Sequence, residues 1–351
     1  MDSYIVYLDD LSEGVRELAS RSRLTHILPF LSCAVVEDGG FLHADNTHVV
    51  SAVKVAKVSV VMEKVRSAVK YCPCEAEPYR GSGANVAVID TGLSSHVDFF
   101  LPNRVKAFAD VVNGKTEPYD DNGHGTAVCG ALAGSGLMSG GRYAGIASGA
   151  GIIPVKAIRA DGEGSTADIL QAMQWVWSNK DKYNIGVVCM SFGADPLPKN
   201  DPLAAGVEAL HAKGITVVVS GGNDGPRFGT VKSPGISPFA LTVGGAGGDD
   251  GDYSVSVFSS RGSAGGIKKP DVVAPAEDVV CAAKDADYIA VTGTSIATPI
   301  VAGACAVILA RHPTYTPDKV KELIMKNASP LAGGESAGGS GMLDLSFLSE
   351  L

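Results

Sequence analysis

A chain of 351 residues, 45% hydrophobic and 19% charged, can bury a sizeable core and hold one large domain plus a small one. Its formal net charge of -9 excludes a polyanion such as nucleic acid as the natural partner. No apolar run reads as long enough to span a bilayer, so no membrane partner is expected. Met1-Asp2-Ser3-Tyr4 is acidic and leads into no long apolar stretch, so no secretory signal is visible. Cys33, Cys129, Cys189, Cys281 and Cys305 lie in apolar or small-residue runs and read as buried thiols. Cys72-Pro73-Cys74 is a close pair, but the second pair of a zinc site is missing, so no metal is expected there. These features predict a cytoplasmic enzyme with reduced thiols. A chain already relieved of a secretion signal would look the same.

In chain order, residues 1–61 read as a small α+β unit. Tyr4 to Leu8 is a strand, and Ser12 to Arg23 a helix capped by Ser12. His26 to Glu37 is a β-rich run, Asp38 to Asn46 holds room for a short helix, and His48 to Val61 alternates as a strand. That β-α-β-α-β order predicts a ferredoxin-like unit. Glu63 to Lys70 reads as a short helix, followed by a loop rich in Pro and Gly. From Asn85 the pattern changes. Strands at Val86–Ile89, Ile152–Ile158, Gly186–Ser191, Ile215–Ser220 and Ala240–Val243 alternate with helices at Ala127–Ala133, Thr166–Ser178 and Leu203–Lys213. Continuous apolar strands alternating with helices predict a mostly parallel α/β sheet covered on both faces, over residues 62–351. Ile300 to Leu309 is apolar all round, as a helix running through the core would be.

In such a sheet, chemistry gathers at the carboxyl ends of the strands. Asp90 stands at one such end. Ser191 and the turn Ser220-Gly221-Gly222-Asn223-Asp224-Gly225 stand at others. Ser295 opens the buried helix, where backbone N–H groups and the dipole favour an oxyanion; capping of the helix by Thr294 or Ser295 is the plainer reading. His124 is bracketed by Gly123 and Gly125, which leave room for a substrate backbone. Acyl transfer needs a hydroxyl, a base, a carboxylate to hold the base and an oxyanion donor. Ser295, His124, Asp90 and Asn223 supply one of each.

Asp90-Thr91-Gly92, His124-Gly125-Thr126 and Gly293-Thr294-Ser295-Ile296-Ala297-Thr298-Pro299 resemble the three signature stretches of the subtilases, the subtilisin-like serine proteases. The order Asp, His, Ser is that of subtilisin. The resemblance covers about Asn85 to Asn327. It implies a subtilisin-like three-layer α/β fold preceded by a propeptide-like domain, and a serine endopeptidase of broad specificity that needs no cofactor. Ser295 would be the nucleophile, His124 the base and then the acid, Asp90 the orienting carboxylate, and Asn223 the side-chain oxyanion donor. Gly162-Glu163-Gly164 and Ser191-Phe192-Gly193 resemble the segments that pair with a substrate strand, with Gly221 and Gly222 beside them. The partners implied are protein or peptide substrates and the chain's own propeptide, with a mature start near Val60 to Lys64.

The pattern departs from the family in places. Ala127 stands where the family often has a second His. The loop Gly134 to Arg142 lacks the oxygens of a strong calcium site, although Asp98 matches one ligand of that site, so this calcium is not expected. Counting back from Pro234, the resemblance puts Lys232 at the base of the pocket for the side chain preceding the cut. There a cation would attract a substrate carboxylate, or the lysine would snorkel to water. A catalytically silent relative that uses the groove for binding is the alternative function. A nucleotide-binding α/β protein is excluded, because no Gly-x-Gly-x-x-Gly or Walker loop follows the first strand.

Overall fold

The computed structural model describes residues 3–37, 47–54, 61–71, 80–197, 199–249, 251–262, 267–285, 287–331 and 335–350. The chain divides into two compact units, Met1–Ser59 and Val60–Leu351.

In the smaller unit, β1 (Ser3–Leu8), α1 (Leu11–Ala19), β2 (Arg23–Leu28), β3 (Cys33–Glu37) and β4 (Val49–Lys54) form an α+β structure. Its antiparallel sheet has the order β2-β3-β1-β4, and Val6, Leu8, Leu18, Ala34 and Val36 make its core. Two expectations are corrected. The cap of α1 is Asp10, whose carboxylate accepts from Ser12 N and Glu13 N, so the helix begins at Leu11. The run His26 to Glu37 is a hairpin rather than one strand: Pro29 cannot donate to a ladder, and Ser32 turns the chain at φ 49. The helix expected within Asp38 to Asn46 lies outside the described residues, as do Cys72 and Cys74.

The larger unit opens with α2 (Val61–Ala68). Its eight-stranded sheet contains β5 (Asn85–Asp90), β6 (Ala109–Asp110), β7 (Gly151–Lys156), β8 (Ile185–Met190), β9 (Thr216–Ser220), β10 (Leu241–Asp249), β11 (Asp252–Val255) and β12 (Val272–Pro275). The order is β11-β10-β9-β8-β5-β7-β6, with β12 also paired to β10. Every pairing is parallel except β10 with β11.

Alternation along β5 shows the layering. Val86 and Val88 face a core shared with α4 (His124–Ala133) and α7 (Thr294–Arg311), whereas Ala87 and Ile89 face α5 (Thr166–Tyr183) and α6 (Pro202–Ala212). The fold is therefore the three-layer α/β arrangement expected. The short α3 (Val97–Phe100), a hairpin of β13 (Val279–Ala282) and β14 (Tyr288–Val291), α8 (Pro317–Lys326) and α9 (Glu335–Gly338) complete the unit.

α7 is buried on all sides from Ile296 to Ile308. At 18 residues and a mean hydropathy of 1.6 it is long and apolar enough to cross a membrane by length and composition, which corrects the reading that no run reaches that length. In this fold 78% of it is buried. Pro299 lies inside the helix and has no N–H for the Ser295 carbonyl one turn back.

Cys129, Cys189, Cys281 and Cys305 are buried free thiols. Burial holds each in its neutral form, pushing Cys281 and Cys305 up to about 12 and raising Cys129 and Cys189 as well. An unfolded thiol ionises near about 8.5. Above that pH the unfolded chain binds fewer protons than the folded one, so stability falls as pH rises. Lys269 works the other way: burial lowers it to about 8, so between there and its unfolded value it adds stability with rising pH. Four thiols outweigh one lysine. The expected result is a melting temperature that drops steeply from about pH 9 to 11, at up to about 1.4 kcal/mol per pH unit for each net proton. Melts of the Ser295→Ala protein, which cannot digest itself if Ser295 is the nucleophile, check this. Adding Cys305→Ala should flatten the slope by about one proton; an unchanged slope would show that this thiol does not set it.

Candidate active site

Three strand ends and two helix starts build the site. Asp90 ends β5 and is 1% exposed. Its Oδ1 accepts from Thr91 N at 2.8 Å and from His124 Nδ1 at 2.7 Å, while Oδ2 is buried and has no partner among the described residues. A carboxylate can only accept, so the bond fixes the proton on Nδ1 and leaves Nε2 as the basic nitrogen. The Asp90 charge raises the pKa of His124 above its ordinary value, against the opposing effect of burial. The imidazole remains 32% exposed.

The turn that delivers His124 is organised by Asp120. Its carboxylate accepts from Thr91 Oγ1, from the N–H groups of Asn122, Gly123 and Thr126, and from Thr126 Oγ1. Burial alone would raise the pKa of Asp120, but these donors outweigh it and hold the group below its usual value. Gly125 N in turn donates to Thr91 Oγ1 at 2.8 Å. A side chain at Gly125 is excluded, since its Cβ would stand 2.4 Å from the Gly92 carbonyl oxygen.

Ser295 sits in the first turn of α7, with its N–H in the unsatisfied part of the helix. Asn223 follows β9. Its Oδ1 accepts from Thr294 N at 2.9 Å and from Thr294 Oγ1 at 2.8 Å, and Thr294 Oγ1 lies 2.7 Å from Ser220 Oγ. These bonds settle which end of the amide is oxygen and leave Nδ2 free to donate. Gly293 marks where Ser295 and Asn223 converge: a Cβ there would lie 3.3 Å from Ser295 Oγ and 3.4 Å from Asn223 Nδ2, at a φ of 148. α4 and α7 pack on each other, with Ala127 and Ile296 in one core. Among the described residues Ser295 Oγ makes no hydrogen bond to the His124 ring, a contact that often tightens only when substrate binds.

Residues 81–346 match the subtilase family. The chain belongs to that family. The serine protease AprX of Bacillus subtilis (strain 168) is 42% identical over 272 residues, or 70% of this chain. This chain spans 61% of the length of AprX. Subtilisin Savinase of Lederbergia lenta is 32% identical over 75% of this chain and 90% of its own. Among solved structures, Sphericase superposes with a TM-score of 0.72 at 26% identity, covering 83% of this chain and all (100%) of its own.

Within this subtilase, the segments flanking the site are tied to it. Asn122 Nδ2 donates to Ala160 O, which brings the exposed turn Gly162-Glu163-Gly164 beside the histidine loop. Ser191 is buried, Phe192 packs against the α5 and α6 side of the sheet, and Gly193 is exposed. Ala194 and Ser233 exchange backbone hydrogen bonds at 2.9 Å, and Lys232 N donates to Gly221 O. Lys232 thereby lies against this segment. Its stem passes so close to Gly193 and Gly222 that a Cβ on either would fall 2.6 or 2.7 Å from it. Its ammonium pairs with Asp195 and Asp224, each at 2.5 Å. The free or water-seeking cation expected here is corrected to one held by two carboxylates.

The residues around Asp98 do not fit a calcium ion. That carboxylate is fully buried and accepts from Gly136 N at 2.9 Å and from the Tyr288 hydroxyl at 3.0 Å, so its lone pairs meet donors. Among the described residues no cluster of three or more His, Cys, Asp or Glu could hold a metal. Sequence reasoning assigned no role to Thr91 or Asp120. Thr91 stands within a signature stretch and Asp120 four residues before His124, but their bonds depend on how the strand end meets the histidine turn.

Proposed function

We propose that the chain is a serine endopeptidase working through an acyl-enzyme. The observation that carries this is the pairing of Asp90 with His124 at 2.7 Å, together with an Asn223 amide whose oxygen is anchored on Thr294 and whose Nδ2, like the Ser295 hydroxyl, lies beside Gly293. Ser295 Oγ attacks the scissile carbonyl while His124 Nε2 takes its proton. The oxyanion is received by Asn223 Nδ2 and the Ser295 N–H. His124 then gives the proton to the departing amine, and water reverses the sequence to free the acid. A silent relative has no need of this arrangement, and no observation favours that reading. Substrate would lie extended between Gly162–Gly164 and Ser191–Gly193, with Gly221 and Gly222 along its pocket.

We also read residues 1–61, which include the compact unit Met1–Ser59, as the propeptide of this enzyme. Support comes from its compactness as a separate unit and from the slow folding expected of a parallel sheet, which a template would assist. One preparation tests both readings. A fluorophosphonate should label Ser295 and no other residue, and the mass of the labelled chain should correspond to a start near residues 60–64. Casein hydrolysis without any adduct would overturn the mechanism. An active chain that still begins at Met1 would overturn removal of the propeptide.

The paired Lys232 changes the specificity expected. Asp195, Lys232 and Asp224 together carry one net negative charge, so a Glu side chain before the cut gains nothing here. Removing the lysine leaves two carboxylates. Lys232→Ala should raise kcat/KM for a Lys peptide relative to its Glu counterpart by roughly 10-fold, the effect of one unit charge a few ångström away at a half-exposed site. Matched peptides varied only at that position decide it; an unchanged ratio would remove Lys232 from substrate choice.

A further inference from the structure

Lys156 is fully buried, yet the reaction described above gives it nothing to do. It ends β7 and is the in-register neighbour of Asp90 on β5. Its ammonium donates to Thr91 O at 2.7 Å, to Asp121 Oδ1 at 2.6 Å and to Ile158 O at 2.9 Å, and lies 5.1 Å from the Tyr119 ring centre. Taking an ammonium out of water costs several kcal/mol, and an apolar side chain of the same length would fill this space more cheaply. The bonds therefore ask for a reason beyond packing.

Thr91 supplies it. Its N–H donates to Asp90 Oδ1, its hydroxyl donates to Asp120 and accepts from Gly125 N, and its carbonyl accepts from Lys156. One residue thus touches the Asp90 carboxylate, the backbone next to His124 and the lysine. Ile158, another Lys156 acceptor, directs its own N–H to the Asp90 carbonyl, as does Ala157. The ammonium clips the exit of β5 to the exit of β7 at the point where the chain leaves the sheet for the catalytic turn.

We propose that Lys156 is a positioning residue: through Thr91 it holds the Asp90 carboxylate and the His124 turn in the geometry that makes the imidazole an effective base. The proposal rests on the peptidase reading above. Small displacements of a catalytic pair are costly, with about 1 Å worth up to about 10²-fold in rate. Lys156→Met should therefore lower kcat by roughly 10–10²-fold while KM stays within about twofold, because no substrate contact is lost. Lys156→Arg, which keeps the charge and the donors, should recover most of that loss.

A double-mutant cycle separates positioning from plain destabilisation. In an Asp90→Asn background there is no charged pair left to position, so Lys156→Met should cost less than about threefold more. The cycle is run on protein shown to be folded by circular dichroism. If the Met variant does not fold, Lys156→Gln takes its place in the cycle. A Lys156 variant with undiminished kcat, or losses that simply multiply across the cycle, would overturn the proposal. A wild-type chain without turnover, or a Ser295→Ala chain as active as wild type, would overturn the peptidase reading instead.

Discussion

Ser295→Ala is expected to lower kcat by about 10⁶-fold, as loss of the nucleophile does in a related protease. His124→Ala should cost about as much, because nucleophile and base act as one unit and removing either stops the same step. Asn223→Leu should cost only about 10²–10³-fold, since one oxyanion donor goes while attack proceeds. The gap between these values is the useful quantity. A change that merely disturbed the fold would lower all three alike, whereas loss of chemistry separates them by several orders of magnitude. Ser295 makes no side-chain hydrogen bond among the described residues and sits in the first turn of a helix buried from Ile296 onward. Its replacement by Ala should therefore leave stability within about 0.5 kcal/mol. Active-site titration against a peptide amide, with thermal melts on the same samples, measures both. Wild-type turnover in Ser295→Ala would sink the mechanism.

Much of this was legible in the sequence, and what was missed has physical causes. β5, β8 and β9 are apolar on both faces because helices cover both sides of the sheet, so they stand out as continuous runs. α7 was readable for the same reason. The strand signal of β10 fades after Val243, because Gly244, Gly245, Gly247 and Gly248 carry none; a Cβ on Gly248 would collide with the Asp252 carbonyl oxygen at 2.1 Å, which excludes a side chain there. The apolar spacing of α5 fades at Ser178, yet the helix runs on to Tyr183 and ends where Asn184 turns left-handed at φ 47. The short strands β11 to β14 hold four residues each, too few for a period to show. Asp90, His124, Ser295 and Asn223 stand out in the sequence because motifs label them. Lys156 lies inside the strand read over Ile152–Ile158 and carries no motif, and its meaning rests on the register that sets it beside Asp90. Lys232 was placed by motif, but its two partners come from separate loops, at Asp195 and Asp224, and its charge balance could not be read without them.

Asp90→Asn should reduce kcat by about 10⁴-fold, less than loss of Ser295 but far more than loss of an ordinary hydrogen bond. One oxygen, Oδ1, accepts from both Thr91 N and His124 Nδ1, and Oδ2 is buried without a partner among the described residues. An Asn can keep its oxygen in the Oδ1 place, but then an NH2 group lies buried without a partner. Turned the other way, its NH2 meets the Thr91 N–H and favours the imidazole tautomer with the proton on Nε2, the wrong one for a base. Either way the negative charge that supports the imidazolium is gone. The pH profile carries a second signature. Asp90 raises the pKa of His124, and kcat/KM requires the neutral ring, so the acid limb of the profile reports that raised value. Removing the charge lets it fall, and the limb should move to lower pH even as the plateau drops. A variant that lost activity through misfolding would show a lower plateau on an unmoved limb. Profiles of kcat/KM from about pH 5 to 9 for wild type and Asp90→Asn make the comparison, a range that brackets the ordinary titration of histidine. A limb that stayed in place or moved upward would mean that the Asp90 carboxylate does not set the basicity of His124.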